Sequence, residues 1–291
     1  MPLLTLHLVS LSSKVTRDTF LQHLLSDKNI QVIVASLPRY WVVKPEKADV
    51  NYLVNTRWDL MVLLKSHDGE IPLQNRPEVV REYKVMVGVP SKLLASYPQT
   101  NKELLDKAAS VPLTGSLDNY RAPESSQNLE LSPDLYEYMG ELMQDNPGPV
   151  TMLNLLHFQP DGKSSYYEYG QVGTYCHSPS LLSFLFPSVP AVAYVSVLTA
   201  RNQGFRKAGG KRGGNAKIVG NVVAPPSGQS DSRGDPHRDS QSWWNEIAIV
   251  HYPTIKHFCD MAAGDDYQAI NQKYRLPVCV REGWRVGLMA Y

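Results

Sequence analysis

The segment Trp58-Asp59-Leu60-Met61-Val62-Leu63-Leu64 is a nearly continuous apolar run that opens with a tryptophan. A run of this length and composition is typical of a central β-strand that is buried on both faces. A second Trp-led segment, Trp243–Tyr252, stands in the later part of the chain. The two segments predict corresponding strands in two related halves, in which the tryptophans are structural anchors and not catalytic residues.

Further predicted elements flank each Trp-led strand in the same order. In the first half, alternating apolar and polar residues predict a strand at 3–11, and an amphipathic stretch begins at Phe20. In the second half, strands are predicted at 150–158 and 217–223. Each half then follows the order β-α-β-β-α, which is the split βαβ or ferredoxin-like plan. The sequence therefore predicts an α+β fold made of two tandem ferredoxin-like units, with two unrelated α+β domains as the alternative.

The boundary between the halves is predicted from composition. Residues 111–134 are rich in Ser, Pro, Asn and Gly and show neither helical nor strand periodicity, so they are interpreted as a linker. They separate a first half at 1–110 from a second half at 135–291.

Two segments, 172–203 and 278–291, do not follow the pattern of the halves. The first contains a largely apolar stretch at 181–200, which is long enough for a membrane span, but two prolines interrupt it. A lone span would also place the halves on opposite sides of a membrane. Because Val172 can begin with GT and Gln203 can end in CAG, we rank translation of a retained intron first, a buried hairpin insertion second and a membrane span third. The same reasoning makes 278–291 an atypical tail.

The bulk composition narrows the class of protein. A hydrophobic fraction of 43% with 20% charged residues is typical of a globular protein in water. The 29 basic residues nearly balance the 28 acidic ones, so no overall field would attract nucleic acid or an anionic membrane. Three widely spaced cysteines argue against a disulfide framework and against a zinc site, which predicts a cytoplasmic protein.

A family resemblance rests on several segments of the second half, together with Arg275. These segments are GPVTMLNLL at 148–156, YYEY at 166–169, KIVG at 217–220, WNEIAIVHYP at 244–253 and FCDM at 258–261. Through them the second half resembles an uncharacterised domain family of the dimeric α+β barrel superfamily, whose better-known members are EthD-like, YCII-like and antibiotic-biosynthesis monooxygenase-like proteins. The first half resembles the companion domain of fungal two-domain members through Trp58-Asp59-Leu60 and Gly88-Val89-Pro90-Ser91.

The resemblance implies a fused dimeric α+β barrel whose two units come from one chain, present as a monomer or a homodimer. Superfamily clefts lie between sheet and helices and often work without a metal or an organic cofactor, so no cofactor is expected. The implied function is a cofactor-independent enzyme acting on a small hydrophobic molecule, aromatic or polyketide-like, through an isomerase, cyclase or oxygenase-like step of secondary metabolism. The alternatives are a non-catalytic ligand-binding or assembly protein, and an inactive product of a mis-spliced gene.

The candidate catalytic residues are His157 and His251, because histidine titrates near neutral pH. Each closes a predicted strand, and if the two strands are neighbours their rings can converge and one can act as a general base. The alternative is that both are ordinary strand-end residues. No HxxxH or HExxH pattern accompanies them, so no metal site is expected. Other histidines are interpreted as surface or loop residues: His7, His23, His67 and His237.

Four further residues are candidates for substrate binding. Asn154 is polar within an apolar strand, so its amide is expected to bond the backbone or a ligand. Tyr167 and Tyr169 can line a cleft and orient an aromatic substrate, or simply pack a helix on the sheet. Arg275 can hold a carboxylate or an enolate, or can complement the dipole at a helix end.

Overall fold

A computed structural model describes most of the chain, namely residues 1–45, 49–160, 162–163, 166, 205–235, 237–239 and 242–277, with the backbone of 285–290. The proposed insertion 172–203, with its apolar stretch 181–200, lies outside the described residues. The expected mixture of helices and antiparallel strands is confirmed. In the described part of the chain, no helix is both long enough and apolar enough to cross a bilayer.

The described elements comprise strands, α-helices and one π-helical turn. The strands are β1 (Leu3–Leu11), β2 (Gln31–Val43), β3 (Leu60–Lys65), β4 (Val79–Gly88), β5 (Val150–Leu156), β6 (Asn215–Val222), β7 (Glu246–Tyr252) and β8 (Arg285–Ala290). The helices are α1 (Arg17–Ser26), α2 (Val50–Val54), α3 (Ser91–Lys107), α4 (Pro133–Asp145), α5 (Phe205–Ala208), α6 (Ile255–Ala262) and α7 (Asp265–Ile270). The π-helical turn, Asn271–Arg275, directly follows α7.

Seven strands form one continuous antiparallel sheet in the order β2-β3-β1-β4-β6-β7-β5. The backbone of β8, which falls in the segment predicted as an atypical tail, pairs with β2 at one edge and β5 at the other and closes the sheet into a barrel. The first four strands have the spatial order β4-β1-β3-β2, and the last four have the order β8-β5-β7-β6. The strands that follow the tryptophans, β3 and β7, therefore hold the same place in their respective halves.

The barrel lumen is an apolar core to which both halves contribute. Alternate residues of β1 to β7 contribute to it, because successive side chains in a strand face opposite sides. The lumen side chains include Leu4, Leu6, Leu8 and Leu63 from the first half and Leu153, Leu155, Ile247 and Ile249 from the second. Each such side chain contributes about 2 kcal/mol when fully buried, so the lumen joins the two halves strongly.

Helices cover the outer face of each half. On the second half, α4 and α6 pack over β5 and β7 through Leu135, Met139 and Phe258. Helix α4 begins at Ser132, whose hydroxyl accepts a hydrogen bond from the Leu135 N–H at 3.3 Å and so caps the helix. On the first half, α1 packs over β3 through Phe20. Helix α3 lies along β6 where the two halves meet.

The predicted linker, 111–134, packs closely against the second half. The buried Asp260 carboxylate accepts hydrogen bonds from the Thr114 and Ser116 N–H groups at 2.9 and 2.8 Å. Arg212, also buried, donates to the same carboxylate at 2.9 Å. This shared carboxylate ties the segment between the halves to α6 and to the turn before β6.

Two tryptophans next to the Trp-led strands donate buried hydrogen bonds. The Trp58 indole donates to the carbonyl of Leu53 in α2 at 2.9 Å. The Trp244 indole, in the second half, donates to the Tyr83 hydroxyl of the first half at 2.8 Å. That hydroxyl donates in turn to Asp49 at 3.0 Å. A polar chain therefore links the two halves beside the apolar lumen.

We expect Tyr83→Phe to lower the free energy of unfolding by about 1–3 kcal/mol, because it leaves the buried Trp244 N–H without its acceptor. Urea denaturation followed by tryptophan fluorescence measures the change. Tyr136→Phe is the matched control, since it removes the same hydroxyl from a side chain that is 44% exposed. Equal stability of the Tyr83→Phe and Tyr136→Phe variants would contradict the proposed link between the halves.

Candidate functional site

The structure separates the two predicted catalytic histidines. Strands β5 and β7 are neighbours, but they are antiparallel, with Leu156 opposite Glu246 and Thr151 opposite His251. His157 follows Leu156 directly, so it lies about 20 Å from His251 along the strands. The expectation that the two rings converge is therefore wrong, because neighbouring antiparallel strands have their C-terminal ends at opposite ends of the barrel. The His157 Nδ1 is instead 2.7 Å from the carbonyl oxygen of Trp243.

The predicted binding residues do not join His251 either. Asn154 stands on the helix-covered face of β5, where its amide donates to the carbonyl of Ala248 at 3.3 Å. Arg275 is buried in the π-helical turn and donates to Asn271 at 2.9 Å. His251 points to the opposite face of the sheet, into the lumen. Tyr167 and Tyr169 lie outside the described residues.

Polar side chains do meet inside the lumen, at the start of β5 and the end of β7. Thr151 and His251 face each other across these strands, and both are buried. Within the described ranges, the Thr151 Oγ1 and both ring nitrogens of His251 have no hydrogen-bond partner. A buried polar group without a partner costs about 1–3 kcal/mol, so the fold keeps these groups here at a substantial loss of stability.

Lys217 lies beside this pair on β6. The register of β6 against β7 shifts between Ala216 and Ile218, so Lys217 occupies a β-bulge. Its Nζ donates to the Asn101 side chain of α3 at 3.0 Å and lies 6.0 Å from the centre of the Tyr97 ring. Lys217 is 1% exposed, and burial lowers its pKa to about 7.

The environment gives His251 and Lys217 different protonation states. Burial, together with the nearby Lys217 and His257, lowers the pKa of His251 to about 4. His251 is therefore neutral at pH 7, whereas Lys217 is divided between its ammonium and amine forms. Groups whose pKa values are moved this far by their surroundings are typical of functional sites. We refer to Thr151, Lys217 and His251 as the lumen site.

The interpretation of His7 as a surface or loop residue is wrong. His7 lies on β1 and is fully buried, with its Nδ1 2.6 Å from a carboxylate oxygen of Glu82 on β4. Its face of the sheet is covered by the connection between β3 and β4. The sequence contains a pattern that indicates this polar face. Thr5 and His7 alternate with leucines on one strand, and Glu82 and Lys84 alternate with apolar residues on another.

Comparisons with protein-family models, with curated proteins and with solved structures find no match to this chain. Across the residues that the structure describes, no three His, Cys, Asp or Glu side chains are grouped so that they could hold a metal ion.

We expect Lys217→Met to stabilise the protein at pH 7 by at most about 5 kcal/mol, the value that corresponds to a pKa moved from 10.5 to about 7. Because the folded-state pKa is the lower one, the unfolded chain binds more protons between pH 7 and 10.5, and the stability of the native protein rises with pH across that window. The advantage of Lys217→Met therefore falls towards zero by about pH 10.

Chemical denaturation of both proteins between pH 6 and 10 measures this difference. Lys92→Met, at an exposed lysine of α3, is the control and is expected to leave the pH dependence unchanged. A stability difference between wild type and Lys217→Met that stays constant over the range would contradict the buried lysine.

Proposed function

We propose that the chain is a cofactor-independent enzyme that moves a proton on a small, largely apolar molecule carrying a carbonyl group. The observation that carries the proposal is the lumen site, where polar atoms of Thr151 and His251 lack partners among the described residues beside Lys217. A bound carbonyl oxygen would supply the missing partner. This is the isomerase or cyclase version of the function that the family resemblance implies.

The proposed roles follow from the protonation states. Lys217, with a pKa near neutrality, is the general base and takes a proton from the carbon next to the carbonyl group. The electrons of that C–H bond form a carbon–carbon double bond, and those of the C=O bond move to the oxygen. His251 and Thr151 donate hydrogen bonds to the resulting enolate oxygen. Where the substrate carries a carbon–carbon double bond conjugated with this enolate, the Lys217 ammonium returns the proton to the far carbon of that double bond, the double bonds shift by one position as the C=O bond re-forms, and the product is an isomer.

The lumen walls favour this chemistry and this class of substrate. Leu153, Leu155, Ile247 and Ile249 of the same face exclude water, so hydrogen bonds and charges act more strongly there than in solvent. Apolar walls also suit an aromatic or polyketide-like carbon skeleton. Because neutral His251 can donate a hydrogen bond without carrying a charge, the site can stabilise an enolate without an oxidant or a metal.

We also propose that the fold arose by tandem duplication and is a fused dimeric α+β barrel. Three observations support this proposal. The two halves share one strand order, and their Trp-led strands hold corresponding places in it. At both junctions, the fourth strand of one half pairs with the second strand of the other, as β4 does with β6 and β8 with β2.

We expect the purified protein to catalyse hydrogen–deuterium exchange next to the carbonyl of 2-tetralone in D2O, followed by proton NMR. Lys217→Met is expected to lower the rate about 100-fold or more, because it removes the base. His251→Leu is expected to lower it about 10-fold or more, because it removes one hydrogen-bond donor to the enolate. The wild-type rate should rise with pH through about 7, as Lys217 loses its proton.

The exposed His237→Gln is the control for nonspecific histidine catalysis and is expected to keep the wild-type rate. Calorimetric titration with the same ketone measures binding separately. Binding that is lost in Lys217→Met, without any exchange above the buffer rate in the wild type, would reject the enzyme and favour a ligand-binding protein. Exchange that is unchanged in Lys217→Met would reject the lumen site itself.

A further inference from the structure

A second group of polar side chains lies on the outer face of the first half. It is formed by β1, β4 and the connection between β3 and β4, and we call it the His7 network: His7, Glu70, Arg76, Glu82 and Lys84. This network lies on the face of the sheet opposite the lumen, and it contains none of the residues of the lumen site.

The contacts of the network form one connected chain. The His7 Nδ1 lies 2.6 Å from Glu82, and Arg76 donates to the other oxygen of Glu82 at 2.7 Å. Arg76 also donates to Glu70 at 2.9 Å, and Lys84 donates to the second oxygen of Glu70. Two carboxylates therefore pair with two basic side chains beside the histidine ring.

Glu82 fixes the tautomer of His7. Burial alone would raise the pKa of Glu82, but the hydrogen bonds from His7 and Arg76 and the charge of Arg76 hold it below its usual range. The carboxylate is therefore ionised at neutral pH and can only accept hydrogen bonds. It follows that the His7 Nδ1 carries the hydrogen of this bond, and in the Nδ1–H tautomer the Nε2 presents a lone pair.

The Nε2 is buried and has no hydrogen-bond partner in the part of the chain that the structure describes. The same holds for the Thr5 Oγ1, two residues before His7 on the same face, and for the Gln229 Oε1. A Cβ atom placed on Gly69 would lie 2.7 Å from the Thr5 Oγ1 and 3.6 Å from the Gln229 Oε1. Both oxygens therefore lie beside the turn at Gly69, where a glycine at φ +71° allows this close approach.

We propose that the His7 network is a second proton-accepting site, which binds a small neutral molecule with an acidic hydroxyl group, such as a phenol or an enol. The hydroxyl donates its hydrogen to the His7 Nε2. When the proton transfers, the O–H bond breaks, an N–H bond forms at Nε2, and the electron pair stays on the ligand oxygen. The product is an imidazolium held by Glu82 and an anionic oxygen to which the Thr5 hydroxyl donates a hydrogen bond.

The charge balance of the network selects a neutral ligand. A ligand that arrives as an ion would add an uncompensated charge beside the buried His7, where the acidic and basic side chains of the network already pair with one another. A neutral hydroxyl compound adds none, and after proton transfer its anion stands beside a new cation. The arrangement of carboxylate, imidazole and substrate hydroxyl resembles that of a catalytic triad, in which the carboxylate orients the ring.

4-Nitrophenol tests the site, because its anion is yellow and its neutral form is not. At a pH where the free phenol is mostly protonated, we expect the full chain to bind one equivalent with an increase in anion absorbance. His7→Asn is the informative variant, because the Asn amide can still donate to Glu82 while the Nε2 is lost. We expect it to weaken binding at least 10-fold and to abolish the absorbance change.

The controls separate this site from other causes. His23→Asn removes a histidine that also contacts a glutamate, at 3.1 Å, but whose side chain is 49% exposed, and it should bind like the wild type. Lys217→Met should also bind nitrophenol like the wild type. The result for the His7 network therefore does not depend on whether the proposal for the lumen site is correct. Nitrogen-15 NMR of the wild type should show the Nδ1–H tautomer of His7, whatever the folding yield of the variants.

Three outcomes would overturn the proposal. One is undiminished binding and absorbance change in His7→Asn, and another is an Nε2–H tautomer in the wild type. The third is the absence of nitrophenol binding by a folded wild-type protein, which would leave only ordered water as the partner of Nε2. Glu82→Gln gives a further check. The glutamine amide can donate as well as accept a hydrogen bond, so this variant no longer fixes the tautomer of His7 and should reduce the absorbance change.

Discussion

The shared apolar lumen is the constraint on which the rest of the structure depends. Each four-stranded half has one face covered by helices or connections, while its other face, lined by residues such as Leu6 and Ile249, packs against the opposite half. Burial of both lumen faces therefore requires the barrel to form as a unit. It also means that any polar group in the lumen lies in a region of low dielectric, where its pKa moves far and its hydrogen bonds act strongly.

Strand direction and side-chain alternation distribute the chemistry of the barrel over separate places. Because β5 and β7 are antiparallel, His157 and His251 lie at opposite ends of the barrel. Because side chains alternate along a strand, Asn154 and His251 lie on opposite faces of the sheet. The same geometry brings Thr151 next to His251 and brings His7 within reach of Glu82. The barrel thus holds two polar groups that cannot share a substrate, one inside the lumen and one under the connection from β3 to β4.

Much of the fold could be predicted from the sequence, whereas the site could be predicted only in part. Alternation located β1, and apolar runs located β5 and β7, because these patterns report local burial. The bulge that turns Lys217 towards α3 and the loop that buries His7 depend on contacts between distant segments, which periodicity does not report. His251 could be identified because histidine titrates near neutral pH and this one closes a predicted strand, but its neighbours Thr151 and Lys217 could be identified only from the strand order.

The ladder between β2 and β8 joins residues about 250 positions apart in the chain, such as Leu37 and Ala290. Bringing such distant segments together reduces the entropy of the chain before any contact forms. We therefore expect β8 to close the barrel late in folding. Until then, β2 and β5 each present an open edge whose N–H and C=O groups can pair with another chain. The tendency to aggregate should therefore be greatest in the nearly folded, unclosed intermediate, and the finished barrel, which has no open edge, should be the protected state.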